Sequence, residues 1–415
     1  MQNMNPGDLY KKVKISRADG SKPHVLVIGG GVSGLTTAWT LRNAGCKVTV
    51  VAEQYSELAP HDKEIVSEIA GALWEWPPAV CGSHGKDTDE QLKNLKRWCQ
   101  ISYIQFKDIA DKYGASNTGI RKRTSCFLFE RELNASGLKK KQEIEKICDE
   151  FSNDVPALIK KYNLNTDPDK KGFNIVDAYE HLSYVVDPKQ YLHWLKGMVV
   201  QKDVALLHGI LEDNIYEETP DLLRRYKADI LINCTGMSSR ELCGDEKMKP
   251  LRGILIHAKN DGKKFQKIES CISISQRDAE LNASAEEKLK AQEGRFEFIV
   301  PRNDDIVILG GYAQMGKEKL HWDEEKHNFL QKMKEGCVNL YPDLEKAEFT
   351  SYYYRVGIRP FRDEPRVGQD EKEPRIFHNY GHGGSGYTLS YGCALDIRSV
   401  VKEYFEKEYR PRSNL

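Results

Sequence analysis

The chain has 415 residues and a balanced charge. Its 62 Lys and Arg residues are matched by 62 Asp and Glu residues, so the formal net charge is zero. A neutral chain has no overall electrostatic attraction to nucleic acid or to an anionic membrane, so we expect neither partner and favour a small-molecule substrate. This length exceeds what one hydrophobic core usually supports, and two domains are expected.

The ten cysteines are scattered from Cys46 to Cys393. They form no Cys-x-x-Cys pair and have no histidine cluster nearby, so the pattern predicts neither a zinc site nor a disulfide framework. The amino terminus lacks the apolar segment of a signal peptide, and no run of about 18 apolar residues occurs. We therefore expect a soluble, intracellular protein without a bound metal.

The clearest local pattern lies between residues 24 and 53. The apolar segment HVLVI predicts a strand, the run SGLTTAWTLRNAG after a glycine turn predicts a helix, and KVTVVAE predicts a second strand. Together these segments predict a βαβ unit.

The glycine turn of this unit, Gly29–Gly34, has the pattern G-x-G-x-x-G. Gly29 permits the tight turn, Gly31 lets the backbone approach a pyrophosphate at the helix N-terminus, and Gly34 lets helix and strand pack closely. Glu53, at the end of the second strand, can accept hydrogen bonds from ribose hydroxyls and disfavours a 2'-phosphate. The motif predicts a dinucleotide site, makes NADP unfavourable and leaves FAD and NAD open.

Further elements follow along the chain. Residues 88–115 and 138–162 have helical spacing with charged residues on one side. The segments ADILINCTG (228–236) and DDIVILGG (304–311) predict strands. The polar stretch 257–295 interrupts the strand pattern, and we interpret it as a long excursion or a lid.

Four later segments resemble the D-amino acid oxidase and D-aspartate oxidase family, over most of the chain. VSEIAGALW (66–74) is similar to the family's small-residue loop along the isoalloxazine ring, and NCTG (233–236) to its turn near the adenosine. YVVDPKQYLHWL (184–195) resembles the segment leading into that half of the domain. HNYGHGGSGYTL (378–389) resembles the family's C-terminal signature and is the most specific match.

The resemblance implies an α/β fold, in which a Rossmann-type FAD-binding domain is interleaved with an α+β substrate domain built on a large mixed sheet. The implied division is an N-terminal extension (1–22), a discontinuous FAD-binding domain (23–75, 185–240 and 355–410), a helical cover and substrate domain (76–184 and 241–354) and a C-terminal tail (411–415).

The resemblance also implies the cofactor contacts. The C-terminal turn places a helix N-terminus beside the flavin, where its partial positive charge favours the reduced ring. No Cys or His lies in a recognisable attachment motif, so non-covalent FAD is expected. The predicted cofactor residues are Gly29, Gly31, Val32, Ser33, Gly34, Glu53, Gly71, Ala72, Leu73, Cys234, Thr235, Gly236, Gly383, Gly384, Ser385, Gly386, Tyr387 and Thr388.

Four residues are predicted at the reacting centre. Arg359, in VGIRPFR (356–362), matches the arginine with which the family holds the substrate carboxylate. Phe298 stands before Ile-Val-Pro, where the family has a pocket tyrosine, and the lid region has no tyrosine at hand. Glu75 replaces a glutamine and is either a partner for a cationic substrate group or a solvated acid. Gly384 belongs to the C-terminal turn.

The function implied is that of an FAD-dependent oxidase. Such an enzyme oxidises the carbon–nitrogen bond of a D-amino acid or related amine to an imine, which becomes an oxo acid, and reduces O2 to H2O2. The two altered tyrosine positions favour an alternative, a secondary-amine or cyclic imino acid oxidase of specialised metabolism. A non-catalytic flavin-binding protein is a further alternative, against which Arg359 and the C-terminal turn argue.

The last three residues, Ser413-Asn414-Leu415, resemble the Ser-Lys-Leu peroxisomal address, with Asn in the middle position. The expected location is therefore the peroxisome or the cytoplasm. A homodimer and a peroxisomal import receptor are the macromolecular partners that the sequence leaves open.

Overall fold

The computed structural model describes residues 13–58, 64–78, 89–275, 295–320 and 325–407. Within them, twelve strands form one mixed sheet, which confirms the predicted α/β class and the large mixed sheet. No helix in these ranges is long and apolar enough to cross a membrane.

The strands were numbered in chain order. They are β1 His24–Ile28, β2 Lys47–Ala52, β3 Ile120–Phe129, β4 Asp177–Val186, β5 Ala205–His208, β6 Ile230–Asn233, β7 Lys249–Lys259, β8 Cys271–Ser275, β9 Arg295–Pro301, β10 Ile306–Met315, β11 Phe349–Gln369 and β12 Ile376–His382. Their order across the sheet is β4-β3-β8-β9-β10-β7-β11-β12-β6-β1-β2-β5.

The helices were numbered in the same way. They are α1 Val32–Asn43, α2 Val66–Ile69, α3 Asp89–Tyr113, α4 Ala115–Thr118, α5 Ala135–Ile147, α6 Val155–Lys161, α7 Pro188–Val200, α8 Ile215–Tyr226, α9 Ser239–Leu242, α10 Glu325–Leu340 and α11 Gly386–Lys407.

One end of the sheet is parallel. Strands β12, β6, β1, β2 and β5 pair in parallel, and helix α1 connects β1 to β2 as the βαβ pattern predicts. Val25 and Val27 pack into one core cluster, while Leu26 and Ile28 pack into another on the opposite face. Because both faces are covered, β1 is an unbroken apolar run rather than an alternating one.

The other end of the sheet is mostly antiparallel, with β3 and β8 as a parallel pair. Strand β11 pairs with β7 on one side and β12 on the other, so it joins the two halves. Strands β4 and β11 each cross a predicted domain boundary, and the division into domains stays a prediction.

Two sequence interpretations were wrong in part. The stretch 257–295 is not one uninterrupted excursion, because β8 lies within it, between β3 and β9. Its apolar residues, Ile272 and Ile274, are buried in the core of the antiparallel half. The helical stretch 138–162 contains two helices, α5 and α6, with a break between them.

Several predicted segments lie outside the described residues. These are most of the N-terminal extension, the remainder of the proposed lid (276–294) and the C-terminal tail with Ser413-Asn414-Leu415.

Candidate active site

A cavity of about 550 Å³ lies where the parallel and antiparallel halves of the sheet meet. Every residue predicted to contact the cofactor or the substrate lines this cavity, except Gly34. The sequence prediction therefore selected residues from seven separate segments that the fold brings to one place. The role of each residue stays a prediction.

The glycine turn after β1 is packed too closely to admit a Cβ at any of its three motif glycines. Gly29 has a φ of +119°, and a Cβ on it would lie 2.4 Å from the Cys234 carbonyl oxygen. A Cβ on Gly34 would lie 1.9 Å from the Gly29 carbonyl oxygen, so Gly34 serves close packing beneath the cavity. A Cβ on Gly31 would lie 2.9 Å from Ser67 Oγ, at the N-terminus of α1. Gly31 is the N-cap residue of α1 and lines the cavity, and a helix N-terminus is favourable for an anion.

The ends of β2 and β6 flank the glycine turn. Glu53 follows β2 as an exposed side chain, placed to reach ribose hydroxyls. At the end of β6, Asn233 Oδ1 accepts hydrogen bonds from the backbone N–H and the hydroxyl of Thr235, at 3.1 and 2.8 Å. Burial raises the pKa of the neighbouring Cys234 thiol to about 12, which keeps it protonated. A protonated thiol is a poor nucleophile.

The small-residue loop after α2 presents unpaired backbone donors to the cavity. The N–H groups of Gly71, Ala72 and Leu73 have no acceptor among the described residues, and all three residues line the cavity. Ala72 has a φ of +47°, in the left-handed region that large side chains rarely adopt. These donors fit the polar edge of a flavin ring.

The C-terminal turn lies on the same cavity. A short 3-10 turn, Gly383–Ser385, leads directly into α11. The Tyr387 hydroxyl donates to the Ser67 carbonyl oxygen at 2.8 Å, which ties α11 to the opposite wall. Burial raises the pKa of Tyr387 well above its usual value, so it acts as a neutral hydrogen-bond donor.

Arg359 stands at the other end of the cavity, on β11. Its guanidinium lies over Gly253 of β7, and its Nη1 atom is buried without a hydrogen-bond partner in the described part of the chain. A buried guanidinium nitrogen is costly to leave unpaired, so a ligand that accepts this hydrogen bond would be held firmly.

Phe298 and Glu75 occupy two other walls. The Phe298 ring packs against Gly310, where a Cβ would lie 2.5 Å from the ring, and approaches Gly71 of the loop. Glu75 forms an ion pair with Lys140 at 3.2 Å, and both side chains are largely buried. The interpretation of Glu75 as a freely solvated acid was therefore wrong, because it is held in the cavity wall by a cation from α5.

Sequence reasoning missed several residues of the cavity wall. These are Phe127, Gly253, Leu255, Ser273 and Val300. They lie on four different strands of the antiparallel half, and no local motif marks them. Strand β8 brings Ser273 between Phe127 of β3 and Phe298 of β9, so only the strand pairing reveals it.

Taken together, the donors fit FAD. The N-terminus of α1 can hold a pyrophosphate, Glu53 can hold a ribose, and the loop N–H groups can face the flavin edge. The described residues contain no group of three or more His, Cys, Asp or Glu side chains arranged to hold a metal ion.

Comparison with known proteins identifies the family of this chain. Residues 24–398 match the family model described as "DAO: FAD dependent oxidoreductase". A D-amino acid oxidase of Dugesia ryukyuensis is 26% identical, with 92% of this chain and 99% of the relative covered. A D-amino-acid oxidase of Streptomyces coelicolor is also 26% identical, with 91% and 96% covered.

Solved structures share the fold. Glycine oxidase from Bacillus cereus has a TM-score of 0.65 at 15% identity, covering 92% of this chain and 95% of its own. L-proline dehydrogenase from P. horikoshii has a TM-score of 0.67 at 15% identity, covering 93% and 94%. The chain belongs to the DAO family of FAD-dependent oxidoreductases and is an amino acid oxidase-like enzyme.

Proposed function

We propose that this enzyme oxidises the carbon–nitrogen bond of a D-amino acid, or of a closely related amine, to an imine. Water then hydrolyses the imine to an oxo acid, and O2 is reduced to H2O2. The observation that carries the proposal is the buried Arg359 Nη1, which has no acceptor in the described part of the chain and lies in the same cavity as the glycine turn.

The chain's own residues would act mainly by positioning. Arg359 can bond both oxygens of a substrate carboxylate, which fixes the direction of the Cα–H bond. Leu73, Leu255 and Val300 supply apolar walls that exclude water around the reacting carbon. Bound FAD supplies the two-electron acceptor for the Cα hydride.

The relatives named D-amino acid oxidase support a substrate of D configuration. They match almost the whole chain. Arg359, the loop Gly71–Leu73 and the C-terminal turn belong to segments that resemble this family. Their low identity to this chain leaves the particular substrate as part of the proposal.

Phe298 favours a second candidate, an oxidase of secondary amines or cyclic imino acids. Its ring has no hydroxyl, and it packs beside Gly71 and Gly310 rather than offering a donor to the carboxylate. An apolar wall at this point suits an N-alkyl group or a ring better than it suits a primary ammonium group.

A substrate panel tests the proposal. The purified holoenzyme is given matched D and L amino acids, D-proline, glycine and sarcosine, and peroxide release is measured for each. The proposal expects faster turnover of D than of L forms of the same residue. Preferential turnover of sarcosine or D-proline would favour the second candidate, and equal rates for D and L forms would contradict a D-selective site.

Anaerobic mixing separates an enzyme from a flavin-binding protein without catalysis. An oxidase must bleach the absorbance of its bound flavin when a substrate is added without oxygen. Absence of bleaching with every member of the panel would contradict both candidates.

A further inference from the structure

Arg302 is a buried cation behind the small-residue loop. It follows β9 directly and is only 6% exposed. Its Nη2 atom donates to the carbonyl oxygens of Ile69 and Ala70, at 3.2 and 2.6 Å, and its Nη1 atom lies 3.4 Å from His257 Nε2. It forms no ion pair with any carboxylate in the described ranges. A guanidinium without a carboxylate is unusual at this depth, because burial of a charge normally requires a partner.

The contacts of Arg302 decide which way the loop faces. The carbonyl oxygens of Ile69 and Ala70 bind Arg302, and the Ala72 carbonyl accepts from the Val186 N–H at 3.0 Å. The C=O and N–H of a trans peptide point in opposite directions, so the N–H groups of Gly71 and Leu73 point away from these contacts, and both residues line the cavity. The arginine therefore helps to present the donors that fit the flavin edge.

The carboxylates around Arg302 offset its charge only in part. The nearby Glu64 carboxylate is already paired with Arg355 at 2.7 Å and with Lys189 at 2.8 Å. Asp187 keeps its negative charge and acts on Arg302 electrostatically, but its hydrogen bond is with the Asn303 amide at 2.8 Å. Burial lowers the pKa of the Arg302 guanidinium, but arginine starts so high that it stays protonated in water. Because Arg302 is buried, water and salt screen its charge less than they screen a surface charge.

We propose that Arg302 is a positioning residue for the flavin: it fixes the loop with its N–H groups towards the cavity, and its charge favours electron uptake by FAD bound there. The proposal rests on FAD binding, which family membership establishes, and is independent of the substrate.

Three variants separate the hydrogen bonds from the charge. Arg302→Gln keeps an N–H donor and loses the charge. Arg302→Lys keeps the charge and donates through an ammonium group instead of a guanidinium. Arg302→Met loses both the charge and the donor. The holoenzymes are titrated against a reference redox dye, and FAD dissociation is followed by flavin fluorescence. These readouts require no turnover.

In Arg302→Gln, we expect the ratio of reduced to oxidised flavin at a fixed potential to fall about tenfold. A change of this size lies within the usual range of the coupling free energy between two sites. Arg302→Lys should stay close to the wild-type ratio, because the charge is kept. Arg302→Met should show the same fall together with weaker FAD binding. If Arg302→Met does not fold, the comparison of Arg302→Gln with Arg302→Lys still decides the question.

Arg252→Met is the matched control. Arg252 is also buried, on β7, and binds Gln314 and the Lys319 carbonyl instead of the loop. It should lower stability without changing the flavin potential. An unchanged ratio in Arg302→Gln, or equal shifts in the Gln and Lys variants, would overturn the proposal.

Discussion

The guanidinium of Arg359 lies so close to Gly253 that a Cβ at position 253 would be 2.3 Å from the arginine Cζ atom. The two residues are diagonal neighbours on paired strands, since Arg359 is opposite Leu251 and Gly253 is opposite Gly357. A glycine on β7 therefore makes the space that Arg359, the arginine proposed to hold the substrate, occupies.

Gly253→Ala should displace Arg359 from the cavity wall and reduce kcat/KM for carboxylate substrates, mainly through KM, while FAD stays bound. Steady-state kinetics with flavin occupancy checks this. Gly197→Ala is the control, because a Cβ there meets no atom within 4 Å. Normal kinetics in Gly253→Ala would mean that the arginine tolerates displacement or does not hold the substrate.

Arg359→Leu should reduce the efficiency of turnover by about 2–5 kcal/mol in transition-state free energy, the scale for losing a buried charged hydrogen-bond partner. Arg359→Lys should recover only part of the rate, because an ammonium group lacks the planar two-point fork. Measuring kcat/KM for both variants tests this. Near-normal efficiency in the leucine variant would indicate a substrate that is not held by a carboxylate.

Gly31→Leu should abolish FAD binding, because even a Cβ at this position approaches Ser67 Oγ at the N-terminus of α1. The purified variant should be colourless, with much of its fold retained by circular dichroism. Gly197→Leu makes the same substitution in open space and should stay yellow. A yellow Gly31→Leu protein would contradict the assignment of the pyrophosphate site.

The stability of the chain should fall in mild acid because of His378. Its side chain is fully buried, with Nε2 donating to Asp370 at 2.9 Å. Burial, aided by the charge of Arg366, lowers the pKa of His378 to about 4. The unfolded chain takes up a proton near pH 6.5 and the folded chain does not, so the stabilisation is full above about pH 6.5 and is lost as the pH falls towards 4.

The unfolding free energy lost through His378 is about 3 kcal/mol at most. This value follows from the difference between the pKa of His378 in the unfolded chain, 6.5, and in the folded chain, about 4. His378→Gln keeps a donor towards Asp370 and removes the titration, so its unfolding free energy should depend less on pH over this range. Urea unfolding at several pH values measures the difference. His193→Gln, at an exposed position, is the control. An unaltered pH dependence in His378→Gln would show that other groups cause the loss.

We also propose that the tail directs part of the protein to peroxisomes, where peroxide from the proposed reaction would be removed. The ten C-terminal residues, which include Ser413-Asn414-Leu415, are fused to a fluorescent reporter in eukaryotic cells. Punctate fluorescence that overlaps a peroxisomal marker is expected, and a tail ending in Ser-Lys-Leu is the positive control. Uniform cytosolic fluorescence would contradict the proposal.

The sequence by itself determined the features that depend on neighbouring residues. The strand, glycine turn and helix from His24 to Asn43 follow from apolar runs and from the conformational freedom of glycine, both of which act over a few residues. The family's C-terminal signature and the Arg359 segment are also continuous in the chain. These short patterns were enough to indicate FAD, the family and part of the cavity wall.

Only the tertiary structure decided which distant residues complete the site. Ser273 reaches the cavity because β8 inserts between β3 and β9, Gly253 matters because β7 pairs with β11, and Arg302 matters because β9 ends behind the loop. Each of these contacts joins residues that are remote in the chain. Strand order and register fix such contacts, and they depend on the packing of the whole sheet rather than on local conformational preference.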